Sequence, residues 1–488
     1  MPGAWPLRPW GILVHVHQQP PDPARWRILG VTVSVGFMVL LDVTIVNVAI
    51  PSMRASLETT AAHIQWVISG YALAFGLTLV IGGRLGDAWG RRRMMLIGLT
   101  GFVLASAAAG LAPTIGTLIA ARLVQGFAAG LLTPQNSGLI QTLFRGAERG
   151  TAFGIFGLTV SISSAIGPVL GGLIIALGGS ADGWRWIFLV NVPIGLVLLV
   201  AIARMVPGRD PDAGPDPRLD LLGAVLLGVT VLCVLYPVVS AEGGSRLPLL
   251  LLLLAPVLGY AFVRWERRVV GRGHAPLLDV GLLRKVPGYA SGLAVGSLYF
   301  TGFTGIFLVL SVYLQDGLGI SALQTGLVLV PFAIGSAISS LIAGRLVSKV
   351  GRVLTVVALG VMMLAVGVLA LVVPWGESGA LWLVFALPLL VAGLGGGAVI
   401  SPNFTLTLAD VPTRMGGAAG GALQTGQRIG TAIGAALVMT TYQIALSAYD
   451  DPGRALQWSI GAALVLLSAA WAAALWSWRH EVPLDQMN

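Results

Sequence analysis

Long apolar runs alternate with short polar loops from residue 28 almost to the end of the chain. Each run holds about 20 residues, enough to cross a hydrocarbon layer of about 30 Å at a helical rise of about 1.5 Å per residue. Such runs occupy 28–50, 64–82, 94–112, 115–138, 152–177, 186–206, 220–240, 247–263, 289–314, 322–344, 353–373, 380–401, 416–441 and 456–478. A core formed in water has no reason to repeat at membrane length so often. The pattern predicts an all-α polytopic membrane protein of about fourteen helices.

Composition sharpens this picture. Of 488 residues, 56% are hydrophobic and only 10% charged, whereas a water-soluble surface needs about 25% charged residues. The net charge of +9 is not gathered into a nucleic-acid-binding domain. Instead Arg25, Arg27, Arg91, Arg92, Arg93, Arg145, Arg149, Arg204, Arg209, Arg264, Arg267, Arg268, Arg284, Lys285, Arg345, Lys349, Arg352 and Arg479 fall on one side of the spans. Only Arg54, Arg185, Arg246 and Arg454 fall on the other. The positive-inside rule places the first set and both termini in the cytoplasm, and the expected location is the cytoplasmic (plasma) membrane. Residues 1–24, with Pro20, Pro21 and Pro23, read as a disordered cytoplasmic tail whose His15 and His17 form no metal site. Cys233 is the single cysteine, so no intramolecular disulfide or cysteine metal cluster forms. It reads as a small apolar residue on a lipid-facing helix.

Two passages recur. Gly83-Arg84-Leu85-Gly86-Asp87-Ala88-Trp89-Gly90-Arg91 is echoed by Gly344-Arg345-Leu346-Val347-Ser348-Lys349-Val350-Gly351-Arg352, each between two apolar runs. Ala165-Ile166-Gly167-Pro168 is echoed by Ala432-Ile433-Gly434-Ala435 at nearly the same offset. The repeat predicts two six-helix halves, 25–206 and 286–479, with the substrate path between them near the midplane. Residues 207–285 fit neither half. They contain a polar linker, 207–219, two extra transmembrane helices and a basic linker, and these helices are expected outside the transport path.

The turn Gly83 to Arg93, set between two spans, resembles the loop between the second and third helices of the major facilitator superfamily. Leu41-Asp42-Val43-Thr44-Ile45-Val46-Asn47-Val48-Ala49-Ile50-Pro51 resembles the first-helix motif of its fourteen-helix drug/proton antiporters. Arg122-Leu123-Val124-Gln125-Gly126 resembles the fourth-helix motif. Gly167-Pro168-Val169-Leu170-Gly171-Gly172 is similar to the fifth-helix motif of antiporters, which symporters lack. Trp184-Arg185-Trp186-Ile187-Phe188 with Asn191-Val192-Pro193 also looks typical of the fourteen-helix group. The resemblance implies the major facilitator fold, two six-helix halves plus two extra central helices. It also implies a cavity lined in the first half by the first and fourth helices.

The residues support roles of their own. Asp42 is read as the one carboxylate well inside a predicted span and Arg122 as the only basic residue equally deep. They lie roughly 14 and 12 Å below the outer helix ends. A charge at that depth costs about 2.5–3.5 kcal/mol on insertion scales and needs a partner or a proton. Asp42, Arg122 and Gln125, which shares the face of Arg122, are therefore the proton-coupling candidates. Asn47, about 140° around the helix from Asp42, is assigned to interhelical hydrogen bonding. Gly83, Asp87, Gly90, Arg91, Arg92 and Arg145 form the expected cytoplasmic gate. There Asp87 accepts bonds from a helix N-terminus or pairs with Arg91 or Arg145, and Ser348 makes the second copy weaker.

Gly154, Gly157, Ser161, Ser164, Pro168 and Gly171 form a small-residue stripe for close helix approach, with Pro168 bending the helix. Gly167, Pro168, Gly171 and Gly172 carry the antiporter helix motif. Gly417, Gly420, Gln424, Gln427, Thr431 and Gly434 repeat the stripe in the thirteenth span, with a polar face expected to line the cavity. Trp66, Tyr71, Tyr299, Phe303, Phe307, Phe332, Gln424 and Gln427 are the substrate-cavity candidates.

These readings converge on a proton-coupled antiporter exporting small lipophilic compounds, such as drugs, antibiotics or related metabolites, as a monomer among membrane lipid. No cofactor or metal is expected, and no nucleophile, base or metal constellation points to an enzyme. An exporter of lipids or cell-envelope intermediates is the nearest alternative. A nutrient symporter and a non-transporting scaffold or sensor are more distant ones.

Overall fold

The computed structural model describes residues 22–179, 182–208, 220–242, 247–375 and 381–480. Most of the proposed tail, most of the 207–219 linker, Arg246 and Glu377 lie outside the described residues, as does the side chain of Pro168. Among the described residues there are sixteen α-helices and no strand. They are α1 (Arg25–Ser56), α2 (Ala61–Trp89), α3 (Arg91–Gly110), α4 (Ile115–Leu143), α5 (Gly146–Gly178), α6 (Gly183–Leu189), α7 (Asn191–Met205) and α8 (Leu221–Glu242). Then follow α9 (Ala255–Gly271), α10 (Leu282–Lys285), α11 (Tyr289–Val312), α12 (Ala322–Val350), α13 (Val353–Trp375), α14 (Leu381–Thr407), α15 (Gly416–Tyr449) and α16 (Pro452–Arg479). Fourteen segments are long and apolar enough to cross a membrane, α6 and α7 together making the sixth. The 3-10 helix Leu247–Leu253 runs into α9 to make the eighth. Every span expected from the apolar runs is present.

Local chemistry sets the helix ends. Thr114 and Thr117 close a reciprocal capping box before α4, and Ser321 with Gln324 does the same for α12. Gly90 takes φ 95° between α2 and α3, and Gly351 φ 63° between α12 and α13. Only glycine adopts such angles without strain, which explains a glycine at the same place in both repeats.

The burial pattern is that of a protein whose solvent is lipid. Leu177 is 80% exposed, Leu364 72% and Val465 71%, while the charged Arg122 is 1% exposed. Helices in lipid gain little from hiding leucine, so they associate by close packing of small residues and by buried polar bonds. The closest approaches are of this kind. A Cβ on Gly83 of α2 would strike the backbone of Gly417 in α15, and one on Gly344 of α12 would strike Gly150 in α5. These two contacts correspond through the repeat, since Gly83 and Gly344 open its two copies. A second pair corresponds likewise: Gly167 of α5 abuts Thr44 in α1, and Gly434 of α15 abuts Thr301 in α11.

Several expectations change. The α5 stripe is not one face: Gly154 and Gly157 meet α12, and Ser161 bonds Ser336 at 2.7 Å. Ser164 is exposed, Gly167 and Gly171 turn to α1, and Gly172 has open space around it. Spacings of three and four drift around a helix over eighteen residues, so one stripe serves two neighbours. Asn47 is exposed instead of bonded between helices. Cys233 is buried against its neighbours and does not face lipid. Asp42 is not the only carboxylate removed from solvent: Glu266 on α9 is fully buried and accepts the backbone N–H of Leu278. It lay just past the end of the apolar run, so the sequence placed it in a loop.

The extra helix α8 rests on both α2 and α15. Leu73, Val231 and Leu235 form a small core there with Trp66, Tyr236 and Ile429 beside it. Thus α8 covers the seam between α2 and α15.

Candidate functional site

Asp42 sits midway along α1 and faces α4 and α7, where its carboxylate is fully enclosed. Its Oδ2 accepts from Arg122 Nη1 at 2.5 Å. Its Oδ1 accepts from Gln125 Nε2 at 3.0 Å and from Asn191 Nδ2 at 2.8 Å. Arg122 in turn donates to Gln125 Oε1 at 2.7 Å and to the carbonyl of Val67 at 3.0 Å. Gln125 also reaches Ser106 at 2.7 Å. The guanidinium carbon stands 4.1 Å from the Tyr71 ring centroid. Five helices therefore contribute to one buried ion pair. A carboxylate here survives only because a cation and two amides surround it.

The sequence brought Asp42, Arg122 and Gln125 together correctly. It missed Asn191, whose helix begins after a break at Val190 that no apolar pattern reveals. Tyr71, a cavity candidate, is instead 1% exposed and stacked on Arg122.

A second constellation lies at the end of the bundle that carries most of the arginines. Asp87 Oδ1 accepts from Arg91 at 3.0 Å and from the backbone N–H of Gly417 at 3.0 Å. Its Oδ2 accepts from Ala418 N–H at 2.9 Å. Gly417 and Ala418 are in the first turn of α15, whose N–H groups have no partner in their own helix. The carboxylate of α2 thus caps α15 from outside, where the helix dipole favours a negative charge. Arg91 extends the contact to Thr142 at 2.6 Å and to the Thr413 carbonyl at 3.0 Å. Gln141 donates to the Leu408 carbonyl at 2.8 Å and Arg149 to that of Ala409 at 3.0 Å.

Two expected gate residues are elsewhere. Arg92 bonds the Ala203 carbonyl of α7, and Arg145 is exposed at the start of α5 and is not among the partners of Asp87. Ser348, the counterpart of Asp87, is exposed. The sequence missed Gln141 and Arg149, whose acceptors are backbone carbonyls and carry no residue signature.

The aromatic candidates separate. Tyr299, Phe303, Phe307 and Phe332 gather on α11 and α12, with Phe303 centroids 5.2 Å from Tyr299 and 5.5 Å from Phe332. Tyr299 donates its hydroxyl to the Gly396 carbonyl at 3.1 Å. Trp66 lies apart, 5.9 Å from Tyr236 of α8. Gln424 and Gln427 are buried. Arg122 is not the only deep basic residue: Arg428 lies inside α15, with its guanidinium carbon 4.6 Å from the Phe75 ring centroid. An arginine within a glycine-rich apolar run was legible in the sequence by its position alone.

Comparison with known proteins places the chain. The model of the Major Facilitator Superfamily matches residues 32–435. A probable actinorhodin transporter of Streptomyces coelicolor is 36% identical over 428 residues, covering 87% of this chain and 73% of that protein. The puromycin resistance protein of Streptomyces alboniger is 38% identical over 436 residues, covering 88% and 84%. Among solved structures, the human organic anion transporter MFSD10 superposes with TM-score 0.67 at 18% identity, covering 92% of this chain and all of that one, a likeness of fold.

Proposed function

This chain belongs to the Major Facilitator Superfamily, a family of membrane transporters, and we propose that it is a proton-coupled antiporter exporting small lipophilic compounds of the antibiotic kind. The observation that carries the reading is the buried Asp42–Arg122 pair, a carboxylate and a guanidinium held deep in the first half where charge is costly. Relatives named for actinorhodin transport and puromycin resistance support the substrate class.

In this reading residues 25–206 and 286–479 are halves that rock about a central path. The basic end is cytoplasmic, and the bonds of Asp87, Arg91, Gln141 and Arg149 hold it shut in an outward-facing state. A proton arriving from outside neutralises Asp42 and frees Arg122. That weakens the packing of α1, α4 and α7 and favours the inward-facing state, where the proton leaves and substrate loads. The cover that α8 places over the α2–α15 seam supports a path closed to lipid and weighs against a lipid exporter.

The test is transport in proteoliposomes with an imposed pH gradient, using a panel of lipophilic antibiotics that includes puromycin. At least one compound should accumulate against its gradient, collapse with the proton gradient, and fail to accumulate with Asp42→Asn. Accumulation that ignores pH or survives that substitution would remove Asp42 from the mechanism.

A further inference from the structure

Arg122 and Arg428 both lie within membrane-spanning helices packed on α2, and of these two Arg122 alone is paired with a carboxylate among the described residues. Arg122 has Asp42. Arg428 has no hydrogen bond or ion pair among the described residues. It is half-buried on α15 with its guanidinium over the Phe75 ring. A permanent cation in such a place is costly unless something compensates it.

The surroundings also lack acceptors. Helices α2 and α15 run antiparallel, with Gly417 against Gly83 and Gly421 against Leu79. Continued at the same step, that register brings Arg428 to the level of Ala72, between Tyr71 and Phe75. One turn earlier on the same helix, Gln424 buries its Nε2 without a partner, and the Thr425 hydroxyl beside it is likewise unpaired. Across on α2 the Tyr71 hydroxyl, in a side chain 1% exposed, has no partner either. Buried donors left without acceptors are rare because each forfeits its bonds to water. Here an amide and two hydroxyls share that state around one level of one helix interface, beside a half-buried guanidinium that makes no hydrogen bond among the described residues. The two rings at that level, Tyr71 and Phe75, have centroids 5.9 Å apart and are each 1% exposed, so the unpaired groups lie in aromatic, apolar surroundings.

We propose that this cluster binds an acidic oxygen, a carboxylate or phenolate, on a planar aromatic substrate, with Arg428 as the charge partner and Gln424 and Tyr71 as supporting donors. A guanidinium and an anionic oxygen form the strong, charge-assisted class of bond. The inference rests on the export reading and narrows its substrate class. It also links the substrate site to the proton site: Arg122 and Arg428 stand at opposite ends of the Tyr71–Phe75 ring pair. An anion at one end therefore offsets a cation that protonation of Asp42 leaves unpaired at the other.

The test uses the full chain in detergent and two fluorescent probes of equal shape, anthracene-9-carboxylate and anthracene-9-carboxamide. Wild type is expected to bind the carboxylate about tenfold more tightly than the carboxamide, one charge-assisted bond's worth of preference. Arg428→Gln should erase that preference by weakening carboxylate binding about tenfold, and Arg428→Lys should restore part of it. If Arg428→Gln does not give a monodisperse protein, Gln424→Leu should lower the preference in a folded one. A wild type that treats the two probes alike, failure to bind either included, overturns the proposal, and so does a preference that survives Arg428→Gln. The same probes in proteoliposomes separate the two readings. Charge-selective binding without export would sink the exporter and leave the anion site standing. Export with charge-blind binding would do the reverse.

Discussion

At Asp42, two carboxylate oxygens accept three side-chain bonds, so the carboxylate is well satisfied in this state. Removing one partner of such a pair is worse than removing both. Asp42→Ala strands a buried guanidinium and should cost about 3–5 kcal/mol of stability, whereas the double variant with Arg122→Met should recover most of it. Thermal unfolding of the detergent-purified variants measures this. Additive losses would show that each residue contributes separately and that the pair is not the unit. Tyr71, Gln125 and Asn191 belong to that unit, yet only Gln125 could be inferred, because it lies three residues from Arg122 on one helix face.

Among elements, the glycines divide by what their helices meet. Gly344 faces backbone of α5 and Gly83 faces backbone of α15, while Gly172 faces open space. Gly344→Ala or Gly83→Ala should therefore hold the basic end apart and reduce transport at least tenfold, since backbone cannot yield as a flexible side chain does. Gly172→Ala should leave transport unchanged although it belongs to the fifth-helix motif. Equal effects at all three would refute the packing account.

Asp87→Asn keeps the shape of the cap on α15 but loses its charge, which should weaken closure of the basic end. With Cys233→Ala as background, a short bifunctional reagent should link Thr142→Cys to Thr413→Cys less readily when Asp87→Asn is present. Arg91 touches both of those positions in the closed end. Unchanged linking with intact transport would leave Asp87 as an ordinary turn residue.

For the whole molecule, charge distribution sets what can be carried. In the described part of α11 to α16 and their loops, Asp316, Asp410 and Asp450 are exposed near helix ends, with Asp451 beside them, and none lies within the bundle. Asp42 is sealed against Arg122, and Arg428 adds a positive charge with no carboxylate partner among the described residues. A rigid dication would need two carboxylates to replace its hydration. Export of divalent quaternary ammonium compounds should therefore be poor beside matched monovalent ones. Resistance assays in cells expressing the protein check this, and equal or stronger resistance to the divalent member would sink the idea.

The number and places of the spans, the loop motifs and the pairing of Asp42 with Arg122 were all present in the sequence. The reason is physical: hydrocarbon imposes a fixed length on each apolar run, and a charge inside such a run demands a partner at its own depth. Rotation about each helix axis and the identity of its neighbours are not fixed by hydropathy, because in lipid every apolar face is equally content. Tertiary packing alone therefore decided that Asn191 would reach Asp42 and that Asp87 would cap a helix more than three hundred residues away. It also turned Asn47 outward, set Trp66 against α8, and left Arg428 without a counter-ion among the described residues.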